Sequence, residues 1–294
     1  MARQQVFHQP VLVNEVVHWM NLRDNGVYCD CTAGGAGHLL AMLKSTLHAR
    51  FIGLDSDPAA VTRSQRAIAV YRNRCFIIQS DFIYLDLILK KMNVPKVDGI
   101  LFDLGVSYYQ LTTPSLGFSF ERDGELLMRM SPKTASLQER LRHAGQEELS
   151  TVLRNYGDVR NYRKISRMII EQRDRIRTTL DLRRIVEEAV PRRFLKKNLH
   201  RVFQSLRIWV NDELEKLKRG LAVAFGSLNN EGRMLVISYH SGEDRIAKRF
   251  FRQLKEEDRL RVLNKKVIKP SADEVRNNPS ARSARLRVVE RCVS

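Results

Sequence analysis

At 294 residues, with 43% hydrophobic and 7% aromatic residues, the chain can bury a core without disulfides or metal, which excludes a disordered or disulfide-stapled class. The 51 Lys and Arg against 33 Asp and Glu leave a formal net charge of +18, more than an enzyme of neutral metabolites needs and suited to a polyanion. No run approaches the roughly 18 apolar residues of a membrane span, and no signal peptide or amphipathic anchor is evident, so nucleic acid is expected and a membrane is not.

Between residues 27 and 105, apolar runs at 27–31, 51–55, 75–79 and 99–104 alternate with segments of helical period. That alternation predicts a parallel sheet with crossover helices, an α/β Rossmann-like core. Each run is closed or closely followed by an acid: Asp30, Asp55, Asp81 and Asp103. Ligands bind at the carboxyl ends of such strands, so these acids are expected on one edge. Helix capping is the competing role for Asp57 and Asp81. Cys29 and Cys31 share one strand face, where core packing is expected. The four cysteines, with Cys75 and Cys292, show no metal spacing and point to a reduced, cytoplasmic setting.

The first run leads into Asp30-Cys31-Thr32-Ala33-Gly34-Gly35-Ala36-Gly37-His38 and then a helix. Glycines at a strand-to-helix turn let backbone amides approach a ligand. The GxGxxG spacing of a dinucleotide site is missing, which argues against NAD. A carboxylate at Asp30 repels a pyrophosphate but attracts the sulfonium and ammonium of S-adenosylmethionine (SAM), so SAM is the expected cofactor. Asp55 is positioned to accept ribose hydroxyls, and Phe82 after the third strand offers an adenine-stacking face or a core ring.

From 108 to 205 the strand signal vanishes and helices broken at Gly145, Gly157 and Pro191 are predicted. Residues 160–201 hold fourteen Lys or Arg against five acids, a net +9 and half the excess charge of the molecule. Residues 109–205 are therefore expected to form an inserted helical, basic, RNA-binding subdomain, with 1–108 and 206–294 forming the core. One long helix is expected over 201–225, strands at 233–239 and 284–289, and an extended surface loop over 265–287.

Several ordered motifs resemble one family. They are Phe7-His8-Gln9-Pro10-Val11-Leu12, the glycine loop ending in His38, and Val97-Asp98-Gly99-Ile100-Leu101-Phe102-Asp103-Leu104-Gly105-Val106-Ser107, followed by Gly117-Phe118-Ser119-Phe120. Later come Phe203-Gln204-Ser205-Leu206-Arg207-Ile208-Trp209-Val210-Asn211, Val236-Ile237-Ser238-Tyr239-His240-Ser241 and Asn278-Pro279-Ser280-Ala281-Arg282-Ser283. Together they resemble the MraW family of bacterial 16S rRNA cytosine-N4 methyltransferases across nearly the whole chain. The resemblance implies a class I SAM-dependent methyltransferase core with a helical insertion, acting on a decoding-centre cytosine of 16S rRNA in the 30S subunit. It also carries over SAM contacts onto Gly35, Ala36, Gly37, His38, Asp55, Phe82, Asp103 and Gln110. A monomer or homodimer is expected.

Transfer to cytosine N4 needs an acceptor for the amino proton, because the nitrogen lone pair is delocalised into the ring. Asp103 is the expected acceptor, with Ser107 and His240 as further catalytic candidates, His240 alternatively capping the next helix. Tyr108 and Tyr109 are candidates to stack on an extruded base, or are core. Arg201, Arg207, Arg245, Arg282 and Arg285 are candidate phosphate ligands, with an internal ion pair as the competing role of Arg207. This chain departs from the family pattern at Leu127 and Ser131, where carboxylates are usual, and at Ala36 and Gly242. The departures at 127 and 131 raise the alternative of a catalytically weakened RNA-binding or ribosome-assembly protein.

Overall fold

Runs that are apolar on both faces can satisfy their backbone and their side chains together only inside a sheet covered on each side. The computed structural model, which describes residues 10–293, builds such a sheet; Phe7, His8 and Gln9 of the first motif lie outside these residues. Its strands are β1 (Val27–Asp30), β2 (Arg50–Asp55), β3 (Cys75–Gln79), β4 (Val97–Asp103), β5 (Leu228–Ser238), β6 (Leu260–Val262) and β7 (Arg285–Arg291). They stand in the order β3-β2-β1-β4-β5-β7-β6. Strands β1 to β5 pair in parallel, and β7 runs antiparallel to β5 and β6. This is the class I SAM-dependent methyltransferase arrangement of an α/β Rossmann-like core.

The chain separates into two compact units, Met1–Gly105 with Leu214–Ser294, and Val106–Glu213. In the first unit, α1 (Val13–Met20) precedes β1, and α2 (Gly37–Lys44), α3 (Pro58–Ala67) and α4 (Leu85–Lys91) intervene between successive strands of the first four. The second unit is helical: α5 (Tyr108–Thr112), α6 (Leu137–His143), α7 (Gln146–Gly157), α8 (Tyr162–Gln172), α9 (Thr179–Ala189) and α10 (Leu195–Asn211). The sheet then resumes with α11 (Glu213–Gly226), α12 (Ser241–Glu256) and α13 (Ala272–Asn277). Among the described residues no helix is long and apolar enough to cross a membrane.

Period-two alternation sends neighbouring strand residues into different cores. Cys29, Cys31, Ile52, Leu54, Ile100 and Phe102 join one cluster, whereas Tyr28, Phe51, Leu101 and Leu235 join the other. Three local readings change. The helix expected over 201–225 is two, because Asp212 takes a left-handed conformation (φ 52°) between α10 and α11. The second unit accordingly runs past residue 205, as α10 continues to Asn211. The segment 265–287 holds α13, capped by Ser271, and a 3-10 turn over Pro279–Ser283 instead of an extended loop.

The second unit has its own core, to which α7, α8, α9 and α10 contribute Leu149, Val152, Ile165, Ile169, Leu182, Val186, Leu206 and Val210. The helical period places Ile165 and Ile169 inside and Arg163, Lys164 and Arg167 outside on α8. Reciprocal caps start α6 and α9, Ser136 with Glu139 and Thr178 with Asp181. The glycine breaks have distinct causes. Gly145 is the N-cap of α7, and a Cβ there would meet nothing within 4 Å. Gly157 ends the same helix against α10, where a Cβ would lie 2.1 Å from Ser205 Oγ and 2.5 Å from the Arg201 carbonyl oxygen. Gly157→Ala should therefore destabilise the second unit by about 2 kcal/mol or more through overpacking, and Gly145→Ala by under about 1 kcal/mol. Urea titrations followed by circular dichroism check the ranking; equal midpoints for the two variants would contradict it.

Candidate active site

The strand order reverses between β1 and β4, and open α/β sheets bind ligands beyond the carboxyl ends of the strands at such a point. Asp30 ends β1, Asp103 ends β4 and Asp55 ends the adjacent β2. The remaining strand-end acid, Asp81, and Asp57 serve as caps. Asp57 accepts from the Ala59 amide at 2.8 Å to start α3. Asp81 accepts from the Ile83 amide at 3.2 Å and pairs with Lys216 at 3.0 Å.

Asp30 is 1% exposed. Its Oδ1 accepts from the Thr32 amide at 3.0 Å and the Thr32 hydroxyl at 3.3 Å. The same hydroxyl oxygen accepts from the Asp103 amide at 2.7 Å, so one threonine ties the end of β1 to the end of β4. Burial pushes the Asp30 carboxyl up to about 6, with Asp103 adding to the rise and His38 and Thr32 opposing it.

Asp55 accepts from the Gly34 amide on Oδ2 and from the Asp57 amide on Oδ1, each at 2.9 Å. Burial still pushes it up to about 6. A carboxylate has about four lone-pair positions, so one remains on each oxygen, a match for the two hydroxyls of a ribose. Gly34 holds φ +53° and is fixed from the other side by Ser64 Oγ, 2.8 Å from its carbonyl.

Asp103 receives the Tyr239 hydroxyl on Oδ1 at 2.8 Å. Burial, and then the carboxylate itself, push the Tyr239 phenol well above its usual range, so it remains a donor. On the other oxygen, His38 Nδ1 lies 3.6 Å from Oδ2. His38 Nε2 sits 2.8 Å from the Val11 carbonyl, which can only accept, so Nε2 carries the proton. Burial lowers the His38 pKa, and the neutral ring turns a bare Nδ1 toward Asp103.

Within the glycine loop the roles divide. Gly35 is exposed, with open space where a Cβ would stand, so its backbone is available to a ligand. Ala36 is fully buried at φ +63° and starts α2, a left-handed position that costs an alanine about 1 kcal/mol. Gly37 is a packing glycine, since a Cβ would lie 2.7 Å from Pro10 Cγ. Phe82 is half-buried, edge-on to Phe102 with centroids 5.4 Å apart. A Cβ on Gly220 of α11 would approach its ring to 2.4 Å, so Phe82 serves the core on that side.

This donor set fits SAM. Buried carboxylates gain from a sulfonium and an ammonium, Asp55 has acceptor capacity for a ribose, and an exposed loop amide lies between them in sequence.

The other sequence candidates lie elsewhere. In the second unit Ser107 and Gln110 cap α5 reciprocally, the Gln110 amide reaching Ser107 Oγ at 3.2 Å and the Ser107 amide reaching Gln110 Oε1 at 3.0 Å. Tyr108 and Tyr109 are 48% and 41% exposed, which removes the core reading for both. His240 caps α12 through Nδ1, which accepts from the Gly242 and Glu243 amides, while Nε2 lies 3.1 Å from Glu243 Oε1. Arg207 is committed to Glu213 by two bonds of 2.9 Å, the internal pair anticipated for it. Arg201 is bound to Asp158, and Arg285 to Asp244. Arg245 and Arg282 are exposed. Thr32 and Tyr239 were not singled out from sequence, although both stood inside quoted motifs; nothing in their spacing signals partners 71 and 136 residues away.

Residues 5–292 match the MraW methylase family. Three curated relatives carry the name ribosomal RNA small subunit methyltransferase H. The one from Thermotoga neapolitana is 39% identical over 297 residues, covering 99% of this chain and 98% of that protein. The relatives from Clostridium botulinum (strain 657) and Carboxydothermus hydrogenoformans are each 37% identical, covering 96% and 97% of this chain and 97% of each relative.

Asp30 has a folded-state pKa above its unfolded value, so its contribution to stability is present below about pH 4 and is lost as pH rises through about 6. Asp30→Asn, whose Oδ1 can still accept from Thr32, should stabilise the protein by up to about 3 kcal/mol at pH 7 and by nothing at pH 4, while weakening SAM binding. Thermal melts across that range check the sign; destabilisation at pH 7 would contradict it.

Proposed function

Because the chain belongs to the MraW methylase family, we propose that it methylates N4 of a cytosine in the decoding centre of 16S rRNA, within the 30S subunit. The broader activity is that of a SAM-dependent rRNA methyltransferase. The observation that supports the acceptor reading best is the way Asp103 is held: its backbone amide on Thr32 and its carboxylate on Tyr239.

Bound SAM supplies the electrophilic methyl group. Gly35 and Asp55 are the proposed direct contacts, with Asp30, Ala36, Gly37 and His38 shaping the pocket from beneath and Phe82 flanking it. Gln110 keeps its assignment as a cofactor residue by resemblance alone. The protein's part in the chemistry is to align and to take a proton. Asp103 accepts a hydrogen bond from the cytosine amino group, which returns electron density to N4. As the N4–methyl bond forms and the methyl–sulfur bond breaks, the amino proton passes to the Asp103 carboxylate. Tyr239 donates to the other Asp103 oxygen and so sets which one faces the base. Tyr108 is proposed to stack on the extruded cytosine, Arg245 and Arg282 to meet phosphates from their exposed positions, and Arg201 and Arg285 to meet them as Asp158 and Asp244 are exchanged. Ser107 and His240 act as positioning groups through their helix caps.

The loop that carries Leu127 and Ser131 is tied to α10 in this chain. Asn211 holds that loop through backbone bonds alone, accepting from the Met130 amide at 2.7 Å and donating to the Met128 carbonyl at 2.9 Å.

Mass spectrometry of small subunits methylated by the purified protein tests the reading. N4-methylcytosine is expected at one decoding-region position, reduced at least about 100-fold by Asp103→Asn and about tenfold by Tyr239→Phe. SAM binding without incorporation into assembled subunits would favour the weakened, assembly-factor alternative.

A further inference from the structure

We infer that the surface around Phe194 in the second unit is a stacking platform for an unpaired base of the RNA substrate, flanked by four cations that hold its phosphates. The inference rests on the reading of the chain as an rRNA methyltransferase and names which form of RNA the insertion grips.

Phe194 closes a 3-10 turn over Arg192–Phe194 that leads into α10, and it is 45% exposed. The Arg193 guanidinium lies 4.7 Å from its ring centroid. Residues 191–200 contain Arg192, Arg193, Lys196 and Lys197 and no Asp or Glu. All four cations are exposed, and none of them is held in an ion pair among the described residues. On α8 and α9 of the same unit, cations alternate with acids that pair with them: Arg167 with Glu171, Arg183 with Glu187 and Arg184 with Asp181. A face built only for solubility mixes signs in that second way.

One turn beyond Lys196, His200 meets Phe120 edge-on at 4.9 Å. Burial and then the Lys196 ammonium depress its pKa, against an opposing pull from Glu121. An aromatic ring left in water beside unpaired cations has two complementary ligands, a base face for the ring and phosphates for the cations. A duplex hides its base faces, which makes unpaired RNA the matching form.

Fluorescence anisotropy with a labelled twelve-residue oligocytidylate and with a duplex RNA of equal length tests the inference on the full chain. Phe194→Ala should weaken binding of the single strand roughly tenfold with an unchanged salt slope, and leave the duplex alone. Phe194→Trp should restore the loss. The double variant Lys196→Gln with Lys197→Gln should weaken both RNAs and lower the salt slope by about one to two. Wild-type affinity of Phe194→Ala for the single strand overturns the inference, as does an equal loss on the duplex. A surface built for an acidic polypeptide would respond to the lysine variants alone and overturns it too. Phe194 is exposed, so its replacement is not expected to unfold the unit, and a circular dichroism spectrum confirms that each variant compared is folded. Intact methyl incorporation by the wild-type protein, alongside unchanged RNA affinity of Phe194→Ala, sinks this surface and leaves the proposed function standing.

Discussion

Ending three adjacent parallel strands on carboxylates places like charges at one edge of a sheet whose interior is apolar, and each must be kept charged against a desolvation cost. Much of the first unit answers that constraint. Thr32 bonds Asp30 and braces the Asp103 backbone, Gly34 adopts a left-handed turn that aims its amide at Asp55, and Tyr239 reaches from the end of β5 to Asp103. These bonds lower the cost without cancelling it, as the elevated pKa of Asp30 and of Asp55 shows. A cationic ligand completes the balance, so the same imbalance that destabilises the free protein favours SAM.

The segments around this edge follow from it. His38 is pinned to the Val11 carbonyl, and Gly37 is small because Pro10 lies against it, which ties the segment before α1 to the glycine loop. Pro10 and Val11 of the first motif therefore pack against the second. The second unit solves a different problem. It needs a core of its own to display excess positive charge, and it obtains one from amphipathic helices whose apolar stripes meet while their basic stripes face water.

What could be read in the sequence was whatever is written in local pattern. The parallel strands were legible because both-face burial makes short continuous apolar runs, and the glycine loop because a tight turn restricts residue type. The helical, basic character of the insertion was legible from its period and charge. Strand β6 was not, since three residues of a paired edge leave no period to detect. Nor was the break at Asp212, where a non-glycine residue adopts the left-handed conformation that marks a helix end. At the site, the acids were visible and their partners were not. Arg207 was a candidate phosphate ligand for its bidentate guanidinium, and the apolar stretch around it, which raised an internal ion pair as its other role, is why it needs Glu213.

The central claim is that buried, partly protonated carboxylates await a cation beyond the carboxyl ends of β1 and β4. Isothermal titration of SAM at pH 6, in buffers of different ionisation enthalpy, counts the protons exchanged on binding. With Asp30 and Asp55 each near half-protonated at that pH, a bound cation pulls both toward the charged form. Net release of up to about one proton is predicted at pH 6, declining to none by about pH 8. Proton uptake, or no exchange at pH 6 with SAM bound, would contradict the account.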